Sequence, residues 1–228
     1  MTAIQRLCGG WPRLVMFDLD GTLVDSVPDL AAAVDRMLAQ LDRPAAGIAK
    51  VRDWVGNGAA VLVRRALADD LHAQGVGDAL AAQGLALFEA AYASSHHATR
   101  VYPGALEFLR ALHERGTPLA LVTNKPSRFL PELLAQVGMA ELFRWQIGGD
   151  TFAQKKPDPY ALHWLLEQAG VRAEQALFIG DSRNDVLAAK AAQVPVAAVT
   201  YGYNHGQSIA SEAPDWLGDD LRLLLAVA

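Results

Sequence analysis

The chain has 228 residues, 52% hydrophobic and 20% charged, with a net charge of −5. At this size roughly 70% of the unfolded chain's surface can be buried, so the chain is not disordered and needs no disulfide or structural metal to hold a core. The acidic balance excludes a basic footprint for nucleic acid. The single cysteine, Cys8, excludes an intrachain disulfide and zinc-finger spacing, and no apolar run approaches the ~18 residues of a membrane span.

Residues 1–12 contain Gly9-Gly10 and Pro12 and read as a loose tail. The first continuous apolar run, Leu14-Val15-Met16-Phe17, leads into Asp18-Leu19-Asp20-Gly21-Thr22. From Asp25 to about Arg100 the chain is rich in Ala and Leu and shows no clear strand. Helices are expected over 30–41, 59–71 and 79–93, which makes residues 25–100 a helical insert after the first strand. Pro103-Gly104 marks the return. A helix over 105–115 stops at Gly116, and the apolar run Leu119-Ala120-Leu121-Val122 leads into Thr123-Asn124-Lys125. A helix over 127–137 ends at Gly138. A weaker run, Trp145-Gln146-Ile147, precedes Gly148-Gly149-Asp150, and a helix over 159–169 ends at Gly170. Ala176-Leu177-Phe178-Ile179 leads into Gly180-Asp181-Ser182, a helix follows over 184–192, and the run 194–199 leads into Thr200-Tyr201-Gly202. Apolar runs without alternation belong to strands buried on both faces, and strand–helix alternation gives a doubly wound α/β fold with a parallel sheet over 13–24 and 101–228. Ligands in such sheets bind at the carboxyl ends of the strands, where these polar residues stand. Met37, Phe108 and Trp164 lie at core spacing and read as packing.

Asp18 and Asp20 flank Leu19 as a strand ends. Residues two apart share a side of an extended chain, so both carboxylates can face one site, where a hard cation such as Mg²⁺ would relieve their repulsion. The alternative is a loop with two solvated carboxylates. Asp181, Ser182 and Asp185 suit either helix capping or metal binding, and the two are compatible. Thr123-Asn124-Lys125 suits an anion or an ordinary turn. Lys156, in Lys155-Lys156-Pro157-Asp158-Pro159, is either a site cation or a surface lysine.

In this order and spacing, the four motifs resemble those of the haloacid-dehalogenase-like (HAD) phosphohydrolases over nearly the whole chain. Asp18-Leu19-Asp20-Gly21-Thr22-Leu23-Val24-Asp25 resembles the first motif, Thr123 the second, Lys156 the third, and Gly180-Asp181 with Asp185 the fourth. The helical insert resembles the family's mobile cap, on a Rossmann-like core. The closer resemblance is to the branch that hydrolyses 2-phosphoglycolate, carried by Trp54-Val55-Gly56-Asn57-Gly58, Thr123-Asn124-Lys125-Pro126, Gly148-Gly149-Asp150, Lys155-Lys156-Pro157-Asp158-Pro159, Gly180-Asp181-Ser182-Arg183-Asn184-Asp185 and the segment 200–206. Gln193 departs from it, standing where glycine is expected.

The resemblance implies an Mg²⁺-dependent phosphatase. Asp18 is the expected nucleophile, forming an aspartyl-phosphate, and Asp20 the expected acid and then base. The metal is expected on Asp18, the Asp20 backbone carbonyl and Asp181, with Asp185 orienting a metal water or Lys156. Thr123, Asn124 and Lys156 are the expected phosphate binders. Gly56, Asn57, Gly58 and Arg65 of the cap are candidates for reading the substrate's carboxylate, with Arg64 the neighbouring arginine. His96-His97 could face the site from the cap's end. A phosphatase for another small ester, a sugar phosphomutase and a non-catalytic phosphate-binding module are the alternatives. The aspartate at position 20 argues against dehalogenation, since halide leaves without a proton. The expected partner is a small phosphate ester, with no nucleic acid or membrane, for a cytoplasmic monomer or homodimer.

Overall fold

Short apolar runs unbroken by polar residues form the strands of a parallel sheet. The computed structural model describes residues 1–93 and 98–227. Its elements are α1 (Ala3–Leu7), β1 (Leu14–Phe17), β2 (Val24–Asp25), α2 (Val27–Gln40), α3 (Gly47–Trp54), α4 (Ala59–Ala68), α5 (Asp78–Ala93), β3 (Arg100–Val101), α6 (Ala105–Glu114), β4 (Leu119–Val122), α7 (Leu130–Gln136), β5 (Trp145–Ile147), α8 (Tyr160–Ala169), β6 (Ala176–Gly180), α9 (Arg183–Ala191), β7 (Val196–Val199) and β8 (Trp216–Gly218). Among the described residues, the main sheet runs in the order β5-β4-β1-β6-β7-β8 with every pairing parallel. β1 lies at its centre, between β4 and β6, where the strand order reverses. An open α/β sheet forms its ligand crevice at this switch point.

Strand alternation splits the core into two layers. Val15, Phe17, Leu119, Leu121, Leu177 and Ile179 face α6 and α7. Leu14, Met16, Ala120, Val122 and Phe178 face α8 and α9. A third core, with Val34, Met37, Trp54, Leu67, Phe88 and Tyr92, holds α2 to α5 together. The insert leaves and re-enters the sheet domain through the two-stranded β2–β3 ribbon, which pairs Val24 with Val101 and Asp25 with Arg100. Asp29 ties its two ends together by accepting hydrogen bonds from the Thr99 N–H and hydroxyl, both at 2.6 Å. No helix among the described residues is long and apolar enough to cross a membrane.

Two expectations need correction. The segment 1–12 is not a loose tail. Thr2 and Gln5 form a reciprocal capping box, Ala3, Ile4 and Cys8 are buried against the α6/α7 layer, and Thr2 bridges Val227. Cys8 is therefore a core residue, and burial pushes its thiol up to about 12. The insert also contains a helix that was not expected, α3, whose eight residues bury only Val51 and Trp54. Gln193 adopts φ +57°, the left-handed conformation for which glycine is the natural choice, in keeping with glycine being expected at this position.

Candidate active site

β1 delivers Asp18 to the centre of the sheet's carboxyl edge, where its N–H donates to the Ile179 carbonyl of β6 at 2.9 Å. The chain then turns tightly, with the Leu23 N–H returning to the Leu19 carbonyl, and this brings Asp20 back over the same edge. β4 supplies Thr123, Asn124 and Lys125. β6 supplies Asp181, and α9 supplies Asp185. The loop before α8 supplies Lys156.

Lys156 Nζ sits 2.9 Å from Asp18 Oδ1 and 2.6 Å from Asp185 Oδ1, buried with both. Burial alone would lower the Lys156 ammonium, but Asp18 and Asp185 outweigh it and hold it above the ordinary lysine range. Asp185 Oδ2 accepts from the Asp181 N–H (3.1 Å), the Ser182 N–H (2.9 Å) and the Ser182 hydroxyl (2.7 Å). With both oxygens engaged, Asp185 is placed to cap α9 and orient Lys156. Asp181 accepts from the Thr22 hydroxyl at 2.7 Å and the Tyr203 N–H at 2.6 Å. Asp20 accepts from the Ser26 hydroxyl at 2.5 Å and pairs with Lys125 Nζ at 3.0 Å. The Thr123 hydroxyl oxygen accepts from the Lys125 N–H at 3.2 Å, which leaves its own proton to donate.

Four carboxylates, Asp18, Asp20, Asp181 and Asp185, thus share the edge with two ammonium groups, Lys125 and Lys156. Oxygens of Asp18, Asp181 and Asp185 lie within 4.8 Å of one another. Asp18 Oδ1 is buried and receives no well-aligned hydrogen bond, although the Lys156 charge stands beside it. A buried carboxylate oxygen that lacks a well-aligned hydrogen bond, in an all-oxygen, negatively charged cluster, fits a hard divalent cation.

Burial pushes Asp18 up to about 7. Asp185 and Asp20 add to the shift, and Lys156 opposes it. Asp181 is raised well above the usual carboxylate range by burial, then by Asp185 and Asp18. A carboxyl group with a raised folded-state pKa binds more protons folded than unfolded between the two values, so stability falls as pH rises through that window. For Asp18 the window runs from 3.8 to about 7. In thermal denaturation, metal-free protein should lose several degrees of Tm between pH 5 and pH 8. Mg²⁺ should raise Tm more at pH 8 than at pH 5, where protons already neutralise the cluster. A flat metal-free profile, equally shifted by Mg²⁺ at both pH values, would contradict this electrostatic picture.

The cap residues divide. Gly56 and Gly58 line the cleft over Asp18 and Asp20. The Gly56 carbonyl accepts from both Asn124 Nδ2 (3.0 Å) and Asn184 Nδ2 (3.1 Å), so two side chains of the sheet domain grip the turn. The Asn57 carbonyl accepts from Lys155 Nζ at 2.9 Å. Asn124 was expected on phosphate, but its other amide hydrogen goes to the Lys156 carbonyl at 2.9 Å. Its amide nitrogen thus pins the cap turn, while the residue itself lines the cleft. Arg65 also departs from expectation. Its guanidinium donates to the carbonyls of Leu71 (2.8 Å) and Trp54 (2.6 Å) and does not line the cleft. Arg64 bonds the Val76 carbonyl and Asp78. His96 and His97 lie outside the described residues. Sequence reasoning did not single out Asn184 or Lys125 as site residues; their position inside the quoted motifs was the available signal.

A buried aspartate at the central strand end, a lysine bridging it to a capping aspartate, and a helical insert roofing the cleft are together the architecture of a hydrolase class. The haloacid dehalogenase-like hydrolase family model matches residues 12–193, and the chain belongs to that family. Among its relatives, the phosphoglycolate phosphatase of Pseudomonas fluorescens is 60% identical over 226 residues, covering 99% of this chain and 83% of that one. Phosphoglycolate phosphatase 1 of Pseudomonas aeruginosa is 60% identical over 217 residues, 95% and 80% of the two chains. The crystal structure of a predicted phosphoglycolate phosphatase from Haemophilus somnus superimposes with a TM-score of 0.87 at 37% identity, covering 93% of this chain and 96% of that one. This chain is a hydrolase similar to those proteins.

Proposed function

We propose that the protein is an Mg²⁺-dependent phosphatase that hydrolyses 2-phosphoglycolate to glycolate and phosphate in the cytoplasm. The observation that carries this reading is Asp18: a buried carboxylate at the switch point, ion-paired to Lys156 and two residues from a second carboxylate under the same roof. The substrate rests on the similarity to relatives at about 60% identity that bear that name.

An Asp18 oxygen attacks phosphorus, and the bond from phosphorus to the glycolate oxygen breaks. Asp20, held by Ser26 and Lys125, gives its proton to that oxygen, so glycolate leaves as an alcohol and an aspartyl-phosphate remains. Asp20 then takes a proton from water as the water oxygen attacks phosphorus, releasing phosphate and regenerating Asp18. Lys156 and the Thr123 hydroxyl face the equatorial phosphoryl oxygens, which gain charge in the transition state. Mg²⁺, for which Asp18, the Asp20 backbone carbonyl and Asp181 would be the protein ligands, supplies positive charge against the anionic phosphate. Asp185 keeps Lys156 in place. The test is phosphate release from a panel of small phosphate esters with and without Mg²⁺. A preference for 2-phosphoglycolate that requires Mg²⁺ is expected; equal rates on hexose phosphates would remove the substrate assignment and leave the phosphatase.

The cap turn closes the site. Gly58 has φ +88°, and a Cβ there would stand 3.0 Å from the Asn124 carbonyl oxygen and 3.3 Å from Lys155 Nζ. Replacing Gly58 with valine should lift the turn from the sheet domain and raise KM for 2-phosphoglycolate by about tenfold or more, since one misplaced ångström in a site can cost as much as 100-fold. An aryl phosphate, whose good leaving group depends less on closure, should suffer less. Equal losses on both substrates would make the turn purely structural.

A further inference from the structure

Beyond Asp18, Asp20 and the Thr123-Asn124-Lys125 edge, the cleft walls are mostly apolar, with Leu30, Val55, Leu62, Phe88 and Phe129. A substrate carboxylate carried into such a cleft is costly unless a cation or several donors meet it. Among the described lining residues, Lys125 is the only lysine or arginine. Arg64 and Arg65 are spent on the cap's own carbonyls and Asp78, and Arg52 pairs with Asp25 and lies over the Tyr203 ring. The Lys125 side chain is 4% exposed. Its Nζ lies 3.0 and 3.1 Å from the two Asp20 oxygens and 4.8 Å from the centre of the Tyr92 ring on α5. The ammonium is thus held in one place, between the catalytic edge and the roof.

We infer that Lys125 is the specificity-determining residue that receives the carboxylate of the substrate, a reading that rests on the phosphatase function proposed above. The spacing supports it. Asp20 must meet the oxygen that leaves phosphorus, and Lys125 stands one hydrogen bond beyond Asp20. In 2-phosphoglycolate the carboxylate carbon is two bonds from that same oxygen. Proton donor and cation stand side by side in the protein, as leaving oxygen and carboxylate do in the substrate. An ammonium has three N–H donors; the two Asp20 oxygens engage at most two of them, and the substrate carboxylate would compete with the Tyr92 side chain for the third. A sugar phosphate presents neutral hydroxyls there, which leave the lysine without a second counter-charge.

The test separates binding from chemistry with two non-hydrolysable inhibitors, 3-phosphonopropionate and propylphosphonate, which differ only in carboxylate against methyl. Wild-type enzyme should be inhibited more strongly by the first. Lys125→Met should reduce the ratio of the two inhibition constants by about 30-fold or more, the scale of removing one partner from a buried charge pair. Lys125→Gln, which keeps a donor toward Asp20 without the charge, should reduce it as well, and cooperative thermal unfolding checks that each variant is folded. A lysine that served only to orient Asp20 would lower turnover and leave the inhibitor ratio unchanged. An unchanged ratio in either folded variant therefore overturns the assignment. A wild-type enzyme with no preference for 2-phosphoglycolate overturns the substrate reading itself. One that prefers it while the variants keep the inhibitor ratio overturns the Lys125 assignment alone.

Discussion

Asp18→Asn is expected to hydrolyse 2-phosphoglycolate at least about 10⁴-fold more slowly than wild type, against the roughly 10⁶-fold that removing a nucleophile costs in another hydrolase, while remaining folded. The amide has nearly the same shape but lacks the negative charge that makes the carboxylate a nucleophile. Folding should survive because Lys156 keeps its 2.6 Å partner Asp185, and the backbone bond from residue 18 to Ile179 does not involve the side chain. The substitution also removes one charge from a crowded cluster in which Asp18 and Asp181 each raise the other's affinity for protons or are raised by shared neighbours. Metal-free Asp18→Asn should accordingly melt higher than metal-free wild type at pH 8. Two readouts are needed, turnover by phosphate release and Tm by thermal denaturation. Wild-type-like turnover, once deamidation back to aspartate is excluded by mass spectrometry, would sink the covalent mechanism. Low turnover with an unfolded chain would say nothing about the nucleophile, which is why the melt accompanies the assay.

The second large effect concerns the metal. Excess chelator should abolish hydrolysis and added Mg²⁺ should restore it, because without a cation two ammonium groups face four carboxylates before the phosphate brings further negative charge. Asp181→Ala should raise the Mg²⁺ concentration for half-maximal activity by about 100-fold or more. Loss of a group that merely supports a metal ligand costs 10–100-fold in affinity, so loss of a ligand should cost at least as much. Part of the effect is indirect. The Thr22 hydroxyl and the Tyr203 N–H both donate to Asp181, and the substitution leaves them facing a void at the edge of the site. Asp181→Asn, which can still accept one of those bonds, should fold more like wild type and still bind Mg²⁺ poorly. A Mg²⁺ titration indistinguishable from wild type in both variants, or full activity in excess chelator, would refute the proposed site.

The elements that the sequence revealed and those it concealed differ in one physical respect. β1, β4, β6 and β7 are buried on both faces, so their sequences are uninterrupted apolar runs, and parallel pairing follows from the helices between them. The concealed elements owe their shape to partners distant in the chain. β2 and β3 are two residues each, too short for any period, and exist because residues 24–25 and 100–101 meet at the base of the insert. β8 is partly exposed and follows a segment of turns, and it is a strand only because β7 offers an open edge. α1 is different. Its Thr2–Gln5 capping box was present in the sequence, but Gly9-Gly10 and Pro12 suggested a tail, and only the apolar face under Ile4 decides otherwise.

The same division holds at the site. By itself the sequence determined which chemical groups stand at the carboxyl edge, because Asp18, Thr123 and Asp181 each follow directly from a strand whose position the apolar pattern dictates. Only the tertiary structure decided which cation faces the cleft. Arg65 and Lys125 are both long, flexible cations near the cleft in sequence terms, and nothing local distinguishes their directions. Arg65 is drawn away by the carbonyl of Trp54, which the end of α3 leaves unpaired, and by that of Leu71 in the turn after α4, whereas Lys125 is trapped between Asp20 and the ring of Tyr92. A side chain with four or more rotatable bonds points where its partners are, and those partners come from other parts of the chain.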